Sequence, residues 1–156
     1  MLEIQIPGFG ELKLSHLVLD YNGTLAHDGI LLAGLRERLR VLAPLLDLHV
    51  VTADTFGQAR QQLDGLDCQL SILAAGRQAA AKLAYVERLG ADNCVCIGNG
   101  RNDRLMLEAA ALGIAVVEGE GAASAALIAA DVMAAGIHDA LDLLANPKRL
   151  IATLRG

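Results

Sequence analysis

The chain has 156 residues, enough for one domain of ordinary size, and 54% of them are hydrophobic, which supplies a sizeable core and excludes a largely disordered chain. Aromatic residues make up only 3% and Trp is absent, so that core is built from Leu, Ala, Val and Ile. The net charge of -5 argues against non-specific nucleic-acid binding as the main task and leaves room for a local cationic pocket.

In chain order, the amino-terminal MLEIQIPGFGELKL has no basic n-region and no long apolar core, so it does not read as a signal peptide. It reads as two short strands around the turn Pro7-Gly8-Phe9-Gly10. A strand follows at Leu17–Asp20, an apolar run that stops on a carboxylate. Gly34 to Leu46 carries Leu35, Leu39, Leu42 and Leu46, the spacing of an amphipathic helix. Leu48–Thr52 is the next strand, and Thr55–Leu63 a helix capped by Asp54 or Thr55. Gln69–Leu73 is a strand, and Gln78–Leu89 a helix stopped by Gly90.

Cys94–Gly98 is a fourth core strand, and Asn102–Leu112 a helix that Gly113 is expected to end. Strand Ile114–Val117, helix Ala122–Ala129, strand Val132–Ala134 and helix His138–Ala145 follow, and Pro147 suits the first turn of a last helix to Leu154. Repeated strand–helix units predict an α/β fold, a parallel sheet with helices on both faces. Gly121 to Ile137 is mostly Ala, but Asp131 and Gly136 interrupt it. A buried helix followed by a strand explains it better than a membrane span. The expectation is a soluble, cytoplasmic protein with neither membrane nor nucleic acid as partner.

Three cysteines, Cys68, Cys94 and Cys96, do not suggest a disulfide framework. Cys94 and Cys96 lie two apart in a strand and so face the same side. With no further ligands at suitable spacing they read as core thiols rather than a metal or redox site.

The polar groups at the carboxyl ends of the strands carry the chemistry. Asp20 ends the first, Thr52 the second, and Gly98-Asn99-Gly100-Arg101-Asn102-Asp103 follows the fourth, with Lys82 near the start of a helix between them. Open α/β sheets bind ligands at that edge. Carboxylate and amide oxygens suit a hard cation, while a hydroxyl and an ammonium suit phosphoryl oxygens.

In order and spacing these four motifs resemble the haloacid dehalogenase superfamily of phosphotransferases, from about His16 to Leu143. The branch most similar is that of soluble proteins like the phosphorylation core of P-type ATPases. The resemblance implies a Rossmann-like three-layer sandwich with sheet order 3-2-1-4-5(-6), which brings Asp20 beside Asp103 although 83 residues separate them (103 minus 20). It implies Asp20 as nucleophile, forming an aspartyl-phosphate on a small phosphorylated substrate. Thr52, Ala53, Lys82 and Asn102 would hold the phosphoryl group, and Asp20, the backbone carbonyl of Asn22, Asn99 and Asp103 would hold Mg²⁺.

Two positions depart from the family pattern. Asn22 stands where the phosphatases carry a general acid–base, and an amide cannot shuttle a proton. Asn99 replaces the first acid of motif four. A slow or selective phosphohydrolase and a non-catalytic protein that binds phosphate ligands or a partner are both readings of such a site.

The remaining signals are weaker. His27, close after motif one, is a candidate replacement proton shuttle. Arg101 and Arg104 fit a solvated helix face or an anionic substrate. GNG at Gly98–Gly100 is no dinucleotide fingerprint, because Asp103 stands where the third Gly belongs. Only about 27 residues separate Thr24 from Thr52, too few for a large cap domain. The expected division is a hairpin over 1–14, a core over 16–145 and a helix over 147–156. The hairpin, with Leu2, Ile4, Ile6, Leu12 and Leu14 on one side, is able to pack on its own sheet or on a neighbour. A homo-oligomer whose neighbouring subunit closes the pocket is the expectation.

Overall fold

The computed structural model describes residues 1–54 and 57–156. Two strands, β1 (Leu2–Ile6) and β2 (Gly10–Leu14), pair antiparallel as the opening hairpin. The core strands are β3 (His16–Leu19), β6 (Asp47–Thr52), β7 (Gln69–Ile72), β8 (Cys94–Gly98), β9 (Leu112–Val116) and β10 (Val132–Ala134). They form one parallel sheet in the order β10-β9-β8-β3-β6-β7. Numbered along the chain as core strands, that is the expected 3-2-1-4-5-6. β3 lies between β6 and β8, so the chain leaves it in one direction and later returns on the other side. The crevice at this reversal, at the carboxyl ends, is where such sheets bind ligands.

Strand alternation divides the core into two layers. Leu17, Leu19, Leu48, Val50, Val95 and Ile97 face one way, onto helices α1 (Leu35–Leu42), α6 (Ile137–Ala145) and α7 (Pro147–Leu154). Val18, Val51, Cys94 and Cys96 face the other way, onto α3 (Gln78–Leu89), α4 (Arg104–Ala109) and α5 (Ser124–Ala129). Both cysteines are buried and free, and burial raises the Cys94 thiol to about 11 and Cys96 well above its usual value. They are packing thiols, held protonated.

The opening hairpin packs on its own chain. Ile4, Ile6, Leu12 and Leu14 are buried in the first layer, and β1 lies against α7. The apolar face that motivated a homo-oligomer is thus covered from within. Among the described residues, no helix is long and apolar enough to cross a membrane.

Several boundaries differ from the sequence reading. α1 ends at Leu42, short of Leu46. The helix expected over Thr55–Leu63 is found as α2, Ala59–Gln62; a start or cap at Thr55 lies outside the described residues. Asp54 does act as a cap at a distance, its Oδ1 accepting the Ala59 N–H at 3.0 Å. Between Asp20 and α1 the chain forms a hairpin that periodicity did not reveal, β4 (Ala26–His27) with β5 (Ile30–Leu31), because two-residue strands carry no alternation.

Gly113 does not stop a helix. α4 ends earlier and Gly113 lies inside β9, its N–H donating to Asp131 at 2.8 Å. Glycine is needed there because a Cβ would overlap the backbone carbonyl of Leu107, where α4 lies directly on the strand.

At the end of the sheet away from the crevice, His49 is buried on β6 between His16, at 3.2 Å, and the Tyr85 hydroxyl, at 2.8 Å. Burial is the main cause that lowers its pKa; His16 adds to this and Asp47 opposes it. A base with a depressed folded-state pKa stabilises fully above its unfolded value of 6.5, and that contribution is lost as pH falls from there towards the folded value. Stability measured by chemical denaturation should therefore fall below about pH 6.5, by at most about 1.4 kcal/mol per pH unit from this group. His49→Phe should flatten that slope; an unchanged slope would show that His49 does not titrate on unfolding.

Candidate active site

The crevice is built by four short segments. β3 delivers Asp20, whose N–H is fixed to the Ile97 carbonyl of β8 at 3.0 Å. The chain then turns tightly, with the N–H groups of Thr24, Leu25 and Ala26 all donating to the Tyr21 carbonyl. Tyr21 is fully buried and its hydroxyl donates to the Gly29 carbonyl at 2.7 Å, pinning the β4–β5 hairpin; burial and nearby Asp54 raise its pKa to about 12. Gly23 has a φ of 79° and lies where a side chain would meet the Asn99 amide. β6 delivers Thr52, α3 delivers Lys82, and the turn after β8 delivers Asn99 to Asp103.

The centre is the Lys82 ammonium. Its Nζ lies 2.6 Å from Asp20 Oδ1 and 2.6 Å from Asp103 Oδ1, with Asn102 Oδ1 at 3.4 Å. Lys82 is 1% exposed and Asp103 0%. Burial alone would lower the Lys82 pKa, but Asp20 and Asp103 more than reverse this and hold the ammonium charged above its ordinary range. Asp103 moves to about 7: burial is the largest cause and Asp20 adds to it, while Lys82 and the Gly100 N–H oppose both. The two directions have one origin. A single cation between two buried carboxylates leaves a net charge of about -1, so the cation is favoured and a carboxylate penalised.

The other residues take up places around this centre. Asp103 Oδ2 accepts the N–H groups of Asn99 (3.1 Å) and Gly100 (2.9 Å), so both its oxygens are engaged. Thr24 Oγ1 lies 3.3 Å from Asp20 Oδ2 and 3.2 Å from Asn99 Oδ1, and Asn99 Nδ2 donates to the Gly121 carbonyl at 3.0 Å. Thr52 Oγ1 accepts the Asp54 N–H at 3.0 Å, which leaves its hydrogen free to donate. Asn22 Oδ1 is buried with no hydrogen-bond partner.

A cavity of about 140 Å³ opens between them. Asp20, Asn22, Thr52, Ala53, Lys82, Asn99 and Asn102 all line it, so every site residue read from the sequence except Asp103 meets there. Asp103, expected as a metal ligand, lies fully buried outside the cavity lining, turned onto the ammonium and two backbone N–H groups. His27 lies against Gly119 and outside the cavity lining. Gln78 was missed: it lines the cavity and its Oε1 accepts from Asn102 Nδ2 at 2.6 Å. A polar residue at a helix start has no signal in sequence beyond its neighbourhood.

Among the described residues no three His, Cys, Asp or Glu side chains gather as metal ligands. A divalent cation still fits the donor set. The donors at the cavity are oxygens, Asn22 Oδ1 lacks a partner, and the centre is short of one positive charge. Magnesium typically takes one or two carboxylates and completes its shell with water and substrate phosphate.

The chain has the fold of the haloacid dehalogenase superfamily. It aligns with 3-deoxy-D-manno-octulosonate 8-phosphate phosphatase from Moraxella catarrhalis, solved with magnesium, phosphate and the sugar acid, at 18% identity and a TM-score of 0.69, over 92% of this chain and 94% of that one. The cobalt-bound phosphatase of the same kind from Haemophilus influenzae gives 14% identity and a TM-score of 0.71, over 92% and 94%. A putative haloacid dehalogenase hydrolase of subfamily III A from Legionella pneumophila gives 18% and 0.72, over 91% and 87%. No protein-family model matches. In sequence the chain is 45% identical over 84 residues to the uncharacterized protein MJ0073 of Methanocaldococcus jannaschii, spanning 51% of this chain and 90% of that protein, and it belongs to the same family.

Removing the central cation should leave two buried carboxylates facing each other. Lys82→Met is expected to cost about 3–5 kcal/mol in stability at pH 7. The double variant Lys82→Met/Asp103→Asn should recover part of that loss, because one of the stranded charges is gone. Additive losses in a double-mutant cycle by urea denaturation would contradict the coupling.

Proposed function

We propose that the protein is a divalent-cation-dependent phosphohydrolase in which Asp20 is the nucleophile. The observation that carries this reading is the buried Lys82 ammonium at 2.6 Å from Asp20, both in the wall of a small polar cavity at the sheet's switch point. The Asp20 carboxylate attacks phosphorus; the bond to the leaving oxygen breaks, and its electron pair leaves with that group. Water then attacks the aspartyl-phosphate and releases inorganic phosphate, which restores the carboxylate. Lys82 and the Thr52 hydroxyl, with Asn102, offset and orient the charge on the phosphoryl oxygens. Asp103 works at one remove: it positions Lys82 rather than binding metal.

Mg²⁺ suits the site, held by Asp20, the backbone carbonyl of Asn22 and Asn99 together with substrate phosphate. When bound, it neutralises charge on the phosphoryl group and on the carboxylate that approaches it. The Asn99 amide makes that hold weaker than an acid would.

Asn22 sets the rate. It lines the cavity where a proton must reach the leaving oxygen, and an amide can donate a hydrogen bond there but cannot release the proton. Substrates with good leaving groups, such as acyl phosphates, are therefore favoured over alkyl esters. The same two amides, Asn22 and Asn99, are what favours the second reading, a protein of this fold that binds phosphate ligands without turnover.

Incubation with acetyl phosphate and Mg²⁺, followed by rapid acid quench and mass spectrometry, separates the two. Phosphate covalently attached at Asp20, and absent in Asp20→Asn, is the expected result. No adduct with several phosphodonors would favour binding alone.

Asn22→Asp should raise the hydrolysis of an unactivated phosphate ester, by up to about 10²–10⁴-fold. Acetyl phosphate should gain much less. Lower rates on both substrates would mean that the Asn22 amide itself has a role that an acid cannot fill.

A further inference from the structure

The small cavity opens beside a wider, shallow cleft of about 510 Å³ that is largely open to solvent. Gln78, Gly100 and Asn102 belong to the walls of both. The wider cleft adds three arginines, Arg77, Arg101 and Arg104. They come from two separate segments, Arg77 from the residue before α3 and the others from the turn after β8.

None of the three forms an ion pair among the described residues. Arg77 is exposed and held in the left-handed region at φ 48°, a conformation uncommon for a side-chain-bearing residue. Arg104 is partly buried, and its Nη1 donates to the backbone carbonyl of Arg101 at 2.9 Å, which holds the Arg104 guanidinium against its own turn. A solvated helix face would explain Arg101 and Arg104 alone. It does not explain their convergence with Arg77 on one cleft in a chain of net charge -5.

We infer that this cleft receives the leaving-group half of the substrate, and that this half carries a negative charge of its own, a carboxylate or a second phosphate. The inference rests on the phosphohydrolase reading and names the substrate class for that site. The phosphoryl group enters the small cavity at Asp20 and Lys82, and the rest of the molecule passes between Gln78 and Asn102 into the cleft. Guanidinium groups match both anions, because their fork of N–H donors pairs with two oxygens at once. Clustered unpaired cations on one surface also concentrate anionic ligands before contact.

Matched substrate pairs test this: phosphoglycolate against ethyl phosphate for the carboxylate, and fructose 1,6-bisphosphate against fructose 6-phosphate for the second phosphate. With Mg²⁺ present, kcat/KM should favour the charged member of at least one pair by about tenfold or more. The pair that responds identifies the anion. Arg77→Gln and Arg101→Gln should each shrink the ratio. Equal kcat/KM within both pairs overturns the inference and leaves the phosphohydrolase reading intact.

Calorimetric titration of Asp20→Asn with phosphoglycolate and with fructose 1,6-bisphosphate makes the same test without turnover. Binding of either probe that weakens in Asp20→Asn/Arg77→Gln supports the cleft even if the wild type hydrolyses nothing. Binding that is indifferent to Arg77 and Arg101, or no binding of either probe, overturns it.

Discussion

Everything in the crevice depends on one buried ammonium. Lys82 bridges Asp20, 62 positions before it in sequence, and Asp103, 21 after it, and so ties α3 to the ends of two adjacent strands. A lysine at 1% exposure is tolerable only because two carboxylates meet it, and those carboxylates are tolerable only because the lysine is there. The balance is incomplete by one charge. The backbone makes up part of the deficit, since the N–H groups of Asn99 and Gly100 hold the far oxygen of Asp103. The remainder faces the cavity at Asp20, which is where a divalent cation and a phosphoryl group would bring positive charge and use negative charge.

This arrangement divides labour between two acids that are alike in sequence. Asp20 is at the cavity wall, whereas Asp103 is sealed behind the lysine. On the proposed reading the first reacts and the second keeps the ammonium oriented. Around them the usual acids are thinned out to amides at Asn22 and Asn99. On the proposed reading, fewer negative charges would mean a weaker hold on metal and no proton donor for the leaving group, which would favour substrates that leave easily. On the inference drawn above, the arginines of the adjoining cleft would compensate on the substrate side by drawing in a molecule with charge at both ends.

Much of this was legible in the sequence because the signals were strong and local. Six apolar runs separated by helical patterns specify the parallel sheet, and the order of polar residues at their carboxyl ends marks the crevice. What was not legible depended on contacts between distant residues. Gly113 looks like a helix stop, and only the approach of the Leu107 carbonyl explains why it lies within a strand. The β4–β5 hairpin is too short to show a period, and it is held by a Tyr21–Gly29 hydrogen bond that composition does not announce. Asp103 and Asp20 are the same residue type; what separates them is that Asp20 lines the cavity while both oxygens of Asp103 are held by Lys82 and two backbone N–H groups. Gln78 and Arg77 become meaningful only when the turn after β8 is folded against the start of α3.

The central claim is that the Asp20 carboxylate is the phosphoryl acceptor. Beryllofluoride tests it most directly, because it binds a carboxylate that can accept a phosphoryl group and mimics the acyl phosphate without turnover. Fluorine NMR of the protein with Mg²⁺ and beryllofluoride should give protein-bound resonances that require Mg²⁺, vanish in Asp20→Asn and persist in Asn22→Asp. Bound resonances that survive in Asp20→Asn, or none in the wild type at saturating Mg²⁺, would contradict the account.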